Sequence, residues 1–141
     1  MKKIVLLAAI LIAVAGTSMA QTKSWTADNG NGTFTNPLFY DEFSDPDIIR
    51  VGEDFYLAGT TMHTVPGVVI MHSKDLVNWK FLSYCFDRFT LGESFELKNG
   101  QEEYGQGIWA PCIRYNNGKF YVFSNINGVG MQVFIADNPA G

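Results

Sequence analysis

From residue 36 onward the apolar positions fall in short strand-like runs separated by polar turns, and nowhere in long helical stripes. Strands are predicted over residues 47–50, 54–60 (DFYLAGT), 67–72 (GVVIMH) and 78–84 (NWKFLSY). The junction Val51-Gly52-Glu53-Asp54 supplies a tight turn between the first two, and SKDLVN, residues 73–78, a polar turn between the last two. Four short strands joined in this way predict one antiparallel sheet.

The scheme then recurs. Pro111-Cys112-Ile113-Arg114-Tyr115 matches Pro46-Asp47-Ile48-Ile49-Arg50, and each proline lies nine positions before a Phe-Tyr-aliphatic triplet, Phe55-Tyr56-Leu57 or Phe120-Tyr121-Val122. A turn precedes each triplet, GED in one and NNGK in the other, and a third strand follows, VVIMHSKDL or MQVFIADNP. The offset is about 65 residues for the first two strands and about two less for the third. Repetition of a four-stranded sheet predicts an all-β fold of the β-propeller kind, in which each sheet is a blade that must stack on its neighbours to bury both faces. The second repeat reaches Gly141 before a fourth strand, so less than two blades of a closed ring are expected here.

The first twenty residues do not share this pattern. MKKIVLLAAILIAVAGTSMA has two lysines, an apolar run from Ile4 to Ala15 and a Ser18-Met19-Ala20 ending of the signal-peptidase type. The run is shorter than the roughly 20 apolar residues of a comfortable transmembrane helix. Residues 1–20 are therefore read as an export signal, with a membrane anchor as the alternative, and the mature protein as periplasmic or secreted without stable membrane insertion. Residues 21–35 are polar and Gly/Asn-rich, a leader into a domain over 36–141.

Composition narrows the function. The net charge of −4 is mild and no basic patch is visible, which argues against a nucleic-acid partner. Aromatic residues make up 14% of the chain, which suits strands and also supplies flat apolar faces. Cys85 and Cys112 define no disulfide framework; free thiols and an oxidised pair both remain open, and no CxxC or His/Cys cluster suggests zinc.

In a propeller the innermost strand of each blade lines a central channel. Asp45 stands at the entry to the first such strand, before a proline that cannot donate to a ladder and that holds the chain extended. A rigid, partly desolvated carboxylate there could act as a general base; an Asp-Pro turn in which the carboxylate caps a local amide is the alternative. Trp109 holds the place equivalent to Ser44 and offers either a face for a sugar ring or core packing between blades. Trp79, on an outer strand, reads as core.

The segments NPLFYDEFSDPDIIRVGEDFYLAGTT, VPGVVIMHSKDLVNWKFL and GIWAPCIRYNNGKFYVF, in this order and spacing, resemble the N-terminal part of glycoside hydrolase family 43 from about Asn36 to Gly141. The NDPNG-like start of the related fructan hydrolases is missing. The resemblance implies a five-bladed β-propeller, of which about the first two blades are present. It implies inverting hydrolysis of arabinofuranosides or xylosides in plant cell-wall glycans, with such carbohydrates as partners. It makes Asp45 the general base, Asp47 scaffold, Trp109 a substrate-pocket residue, and Met62 and His63 residues of the pocket rim. Cys112 stands where some members carry Asp or His facing the channel. The acidic glutamate and the carboxylate that tunes it are implied to lie in later blades, beyond residue 141. Glu93, Glu96, Glu102 and Glu103, in an insertion over residues 83–106, are expected in a solvated loop near the pocket mouth. No cofactor is implied in this chain; a structural calcium ion, with ligands beyond residue 141, is implied for some complete propellers. A carbohydrate-binding propeller without catalysis, or an inactive truncated product, are the competing readings.

Overall fold

The computed structural model describes residues 25–141, so the export signal expected over residues 1–20 lies outside the described residues. Seven strands follow in chain order: β1 (Ser44–Val51), β2 (Asp54–Thr60), β3 (Gly67–Ser73), β4 (Trp79–Phe86), β5 (Ile108–Asn116), β6 (Lys119–Ile126) and β7 (Gly130–Ala136). They form one sheet ordered β1-β2-β3-β4 and a second ordered β5-β6-β7, all pairs antiparallel.

The turns form for local reasons. β1 and β2 are joined across the Val51–Asp54 pair, with Gly52 at φ +63° in the turn. β5 and β6 are joined across Asn116–Lys119, with Asn117 and Gly118 both at positive φ, the conformation that an Asn-Gly pair adopts at least cost. After β3, Asp75 takes backbone N–H bonds from Val77 at 2.9 Å and Asn78 at 2.7 Å. After β7, Asn138 accepts the N–H of Ala140 at 3.0 Å. Both are Asx turns, built on side-chain oxygens that mimic a backbone carbonyl.

The sheets stack as neighbouring blades. Ala58, Val68 and Ile70 of the first meet Ile108, Ile113, Phe120, Val122 and Ile126 of the second in one buried cluster, which also takes in Phe89. The opposite face of the first sheet holds Leu57, Val69 and Met71, covered by Phe39 and Phe43 of the preceding segment and by Trp79. Trp79 thus packs in a core, on the face turned away from the second blade. β3, buried on both faces, is the middle of this arrangement. Residues 25–35 form a small turn closed by the Thr35 N–H on the Ala27 carbonyl at 2.9 Å, and Asn78 ties it to the first blade through Asp28 at 2.9 Å.

The inner strands begin earlier than the apolar pattern indicates, at Ser44 and Ile108, and β4 runs to Phe86 rather than stopping at residue 84. The reason for the second difference is the Gly67–Phe86 pair: the Phe86 ring lies over Gly67 so closely that a Cβ there would stand 2.0 Å from it. The connection between the blades therefore starts at residue 87, not 83.

Candidate functional site

Asp45 sits in a bulge. Ser44 pairs with Thr60 and Asp47 with Ala58, so Asp45 and Pro46 stand opposite the single residue Gly59. Pro46 has no N–H to give the ladder, and a bulge is where a strand tolerates it. The expected extended conformation at Asp45 is not found: its φ is +48°, because the extra residue is accommodated by a left-handed kink. Nor is the carboxylate partly desolvated; it is exposed, and it makes no hydrogen bond or ion pair among the described residues. It does not cap a local amide. That capping is done by Asp47, whose Oδ1 accepts its neighbour Ile48 N–H at 3.1 Å.

Asp47 does more than that. Its Oδ2 accepts the Ile113 N–H of β5 at 2.9 Å and a bond from the Arg114 guanidinium at 2.6 Å. The strand that carries Asp45 is thereby pinned to the strand that carries Trp109. The carboxylate in turn holds the Arg114 guanidinium above its ordinary pKa, through the hydrogen bond first and charge second. Sequence reasoning placed Asp47 in the scaffold without anticipating this bond between blades; the only signal was its position, one residue past the motif proline.

β5 carries the same bulge. Trp109 pairs with Asn125 and Cys112 with Phe123, and Ala110 has φ +36°. Trp109 is half-buried, and its carbonyl accepts the Ser124 hydroxyl at 2.7 Å. Cys112 and Cys85 are both free thiols. Burial between the blades pushes the Cys85 thiol up to about 12.

Met62 and His63 lie at the same rim, just past the end of β2. The Met62 carbonyl accepts the Ile108 N–H at 3.1 Å, which closes a bridge between the blades. Gly107 makes this approach possible: it adopts φ +100°, and a Cβ on it would stand 2.5 Å from the Met62 oxygen. Nearby, the Thr60 hydroxyl donates to the Ile108 carbonyl. Ser44 opposite Thr60, Met62 against Ile108, and Trp109 next in sequence bring the four predicted residues Asp45, Met62, His63 and Trp109 to one end of the two sheets.

The loop over residues 87–107 reaches that end as well. Glu93, Glu96 and Glu102 are exposed, as expected, but Glu103 is half-buried and accepts the Ser94 hydroxyl at 2.7 Å. Glu93 accepts bonds from the side chains of Asn99 at 2.9 Å and Gln101 at 3.0 Å, so these carboxylates organise the loop instead of merely solvating it. Tyr104, which sequence reasoning passed over, packs its ring on His63 with centroids 4.7 Å apart. The other notable titratable cluster is remote: Asp54, held below its usual pKa by hydrogen bonds from Lys74 and then His72, lies at the opposite end of the first sheet. Among the described residues no group of three or more His, Cys, Asp or Glu could hold a metal ion.

Two bulged inner strands, each opening an antiparallel sheet that stacks on the other, define neighbouring blades of a β-propeller. The chain belongs to glycosyl hydrolases family 43, whose family model matches residues 34–141. It is 39% identical over 121 residues to a putative β-xylosidase of Xylanibacter ruminicola, covering 85% of this chain and 21% of that protein. It is 43% identical over 113 residues to a non-reducing end α-L-arabinofuranosidase of Bacteroides ovatus, covering 77% of this chain and 21% of that protein. Among solved structures, a bifunctional family 43 protein of Bacteroides eggerthii superposes with a TM-score of 0.70 at 38% identity, covering 75% of this chain and 15% of that one. The chain spans about a fifth of the length of the two curated relatives described.

Proposed function

We propose that this chain contributes the general base and part of the sugar pocket of an exported, inverting glycosidase that acts on arabinofuranosyl or xylosyl units of plant cell-wall glycans. The observation that carries the reading is the Asp45 carboxylate: unpaired, exposed at the mouth, and mounted on a bulge that Asp47 fastens to the next blade. Relatives named for β-xylosidase and α-L-arabinofuranosidase activity support the substrate class.

In this mechanism Asp45 takes a proton from a water molecule as the water attacks the anomeric carbon. A carboxylic acid on the other side of the sugar gives a proton to the departing oxygen. The two carboxyl groups of an inverting pair stand roughly 6.5–9.5 Å apart to admit that water, so the acid belongs on another inner strand facing the same channel. Trp109 offers a ring face to the sugar, and Met62 and His63 bound the pocket at its rim. The apolar leader, residues 1–20, directs export and is removed near Ala20.

The test is turnover of 4-nitrophenyl α-L-arabinofuranoside and β-D-xyloside by the full-length protein and its Asp45→Asn variant, with the product anomer followed by NMR. Loss of about 10²–10⁴ in rate on an intact fold is expected, with inversion at the anomeric carbon. Unchanged turnover in the variant, or retention of configuration, overturns the assignment.

A further inference from the structure

Opposite the bulge that carries Asp45 stands Gly59, and the place of its missing side chain is taken. A Cβ at this position would lie 2.3 Å from one carbon of the Phe43 ring and 2.8 Å from another. Real side chains do not come so close, so the ring occupies the space that a side chain at position 59 would need. The backbone does not call for glycine there, because Gly59 is not among the residues of positive φ. The second blade supplies a control. Its bulge at Ala110-Pro111 faces Ser124, a residue with a side chain, and Ile108 stands in the place equivalent to Phe43. The bulge itself therefore tolerates a Cβ opposite it. Phe43 is what requires glycine in the first blade.

Phe43 is itself well seated. It packs on the buried residues Leu57, Val69 and Met71, and its ring centroid lies 5.3 Å from that of Phe39. Two residues further on, Asp45 has φ +48°. A residue other than glycine is strained in that conformation, which persists where the surroundings over-determine it. Aspartate can settle there by bonding its carboxylate to nearby backbone, but Asp45 makes no such bond. The kink is thus set from outside. The Phe43 ring on Gly59 fixes the chain that enters it, and the Asp47–Ile113 bond fixes the chain that leaves it. The Asp45 side chain has no partner of its own to restore its aim when either support moves.

We propose that Phe43, seated on Gly59, is a positioning residue for the Asp45 carboxylate: the contact of ring and glycine sets where the base stands at the channel mouth. The proposal rests on the glycosidase reading of Asp45. Phe43 acts through the backbone, from the face of the first sheet turned away from the second blade. Misplacing a reacting group by about 1 Å can lower a rate roughly a hundredfold, so a contact this close is a sensitive control on turnover.

The test measures kcat and KM of the full-length protein on 4-nitrophenyl α-L-arabinofuranoside and β-D-xyloside, with thermal unfolding in parallel. In Gly59→Ala the new methyl drives the ring off its seat, and kcat is expected to fall by about 10- to 100-fold with KM within about twofold. Phe43→Leu alone leaves the seat underfilled and is expected to lower kcat by about three- to tenfold. The double variant sets a smaller side chain against the added methyl and is expected to return kcat to within about threefold of the parent. A purely structural role would lower the melting temperature and leave kcat of the folded enzyme unchanged. Parent kcat in folded Gly59→Ala, or a loss that Phe43→Leu does not restore, overturns the proposal. Where Gly59→Ala does not fold, parent kcat in Phe43→Leu overturns it. A parent without turnover, or turnover that survives Asp45→Asn, removes the glycosidase reading and this proposal with it. Asp45-dependent turnover that is indifferent to Gly59→Ala removes the positioning role alone.

Discussion

The two inner strands build one backbone from different side chains. Ser44-Asp45-Pro46-Asp47 and Trp109-Ala110-Pro111-Cys112 share the bulge, the proline and a left-handed residue before it, with φ +48° at Asp45 and +36° at Ala110. An alanine therefore suffices for the kink. The carboxylate in the first blade is not needed to make it and forms no bond there. Asp47 teaches the converse. It also belongs to the bulge, but both of its oxygens are engaged, one on its own strand and one on the next blade. Of two aspartates separated by a proline, the one without partners is the candidate for catalysis and the one with partners is the fastening.

The comparison makes its largest prediction at Asp45. Asp45→Ala copies the second blade into the first, so the fold is expected to persist while turnover of the full-length protein falls by about 10²–10⁴. Thermal unfolding alongside the rate measurement checks both halves. A variant that fails to fold would break the equivalence of the two bulges.

The next effect concerns the glycines that serve the blades. Gly118, at φ +81°, has nothing within 4 Å of where a Cβ would stand, whereas a Cβ on Gly107 would meet the Met62 carbonyl at 2.5 Å. Gly118→Ala is expected to cost about 1 kcal/mol through its backbone conformation alone. Gly107→Ala adds a steric clash at the bridge between the blades and is expected to cost about 2–3 kcal/mol. Urea denaturation of the two variants orders them; equal costs would show that the Met62 contact yields freely.

Asp47 comes third. Asp47→Ala leaves the Ile113 N–H without its acceptor, at a cost of about 1–3 kcal/mol. Arg114→Ala removes an exposed ion partner and a bond to the Ile113 carbonyl, and is expected to cost less than Asp47→Ala. Asp47→Asn retains an oxygen for Ile113 and should fall between them. If Arg114→Ala proved the worst of the three, charge and not the backbone bond would be holding the blades together.

Much of this was legible in the sequence because propeller blades repeat. The Phe-Tyr-aliphatic triplets, the prolines before the inner strands and the Asx turns recur at nearly fixed offsets, and a pattern seen twice fixes register where one apolar run would not. The four residues assigned to the mouth do come to one rim. What could not be read was long-range and unrepeated. The bulge depends on how β1 pairs with β2, so Asp45 appeared extended when it is kinked. The Asp47–Ile113 bond depends on how the blades stack. The loop over residues 87–107 has no counterpart in the repeat, and its glutamates suggested solvation because their partners, Ser94, Asn99 and Gln101, are polar residues with no periodic signature.

The smallest effect separates the two Asx turns. Asp75 after β3 and Asn138 after β7 hold equivalent turns, but only the first can titrate. The Asn78 side chain, followed by the backbone N–H groups of Asn78 and Val77, holds the Asp75 carboxyl well below its ordinary value of 3.8. A carboxyl whose folded pKa is lowered contributes stability in full above its unfolded value, and loses it as the pH falls from there through the folded one. Asp75→Asn keeps an oxygen for the turn and removes the proton linkage, so its urea midpoint should fall less steeply than that of the parent below about pH 4. The turn is exposed to solvent, which holds the difference to under about 1 kcal/mol. Asn138→Asp makes the reciprocal test: it should give the turn after β7 an acid dependence that Asn138 does not supply. Identical slopes in the parent and Asp75→Asn would mean that the charge contributes nothing and that the two turns are energetically alike.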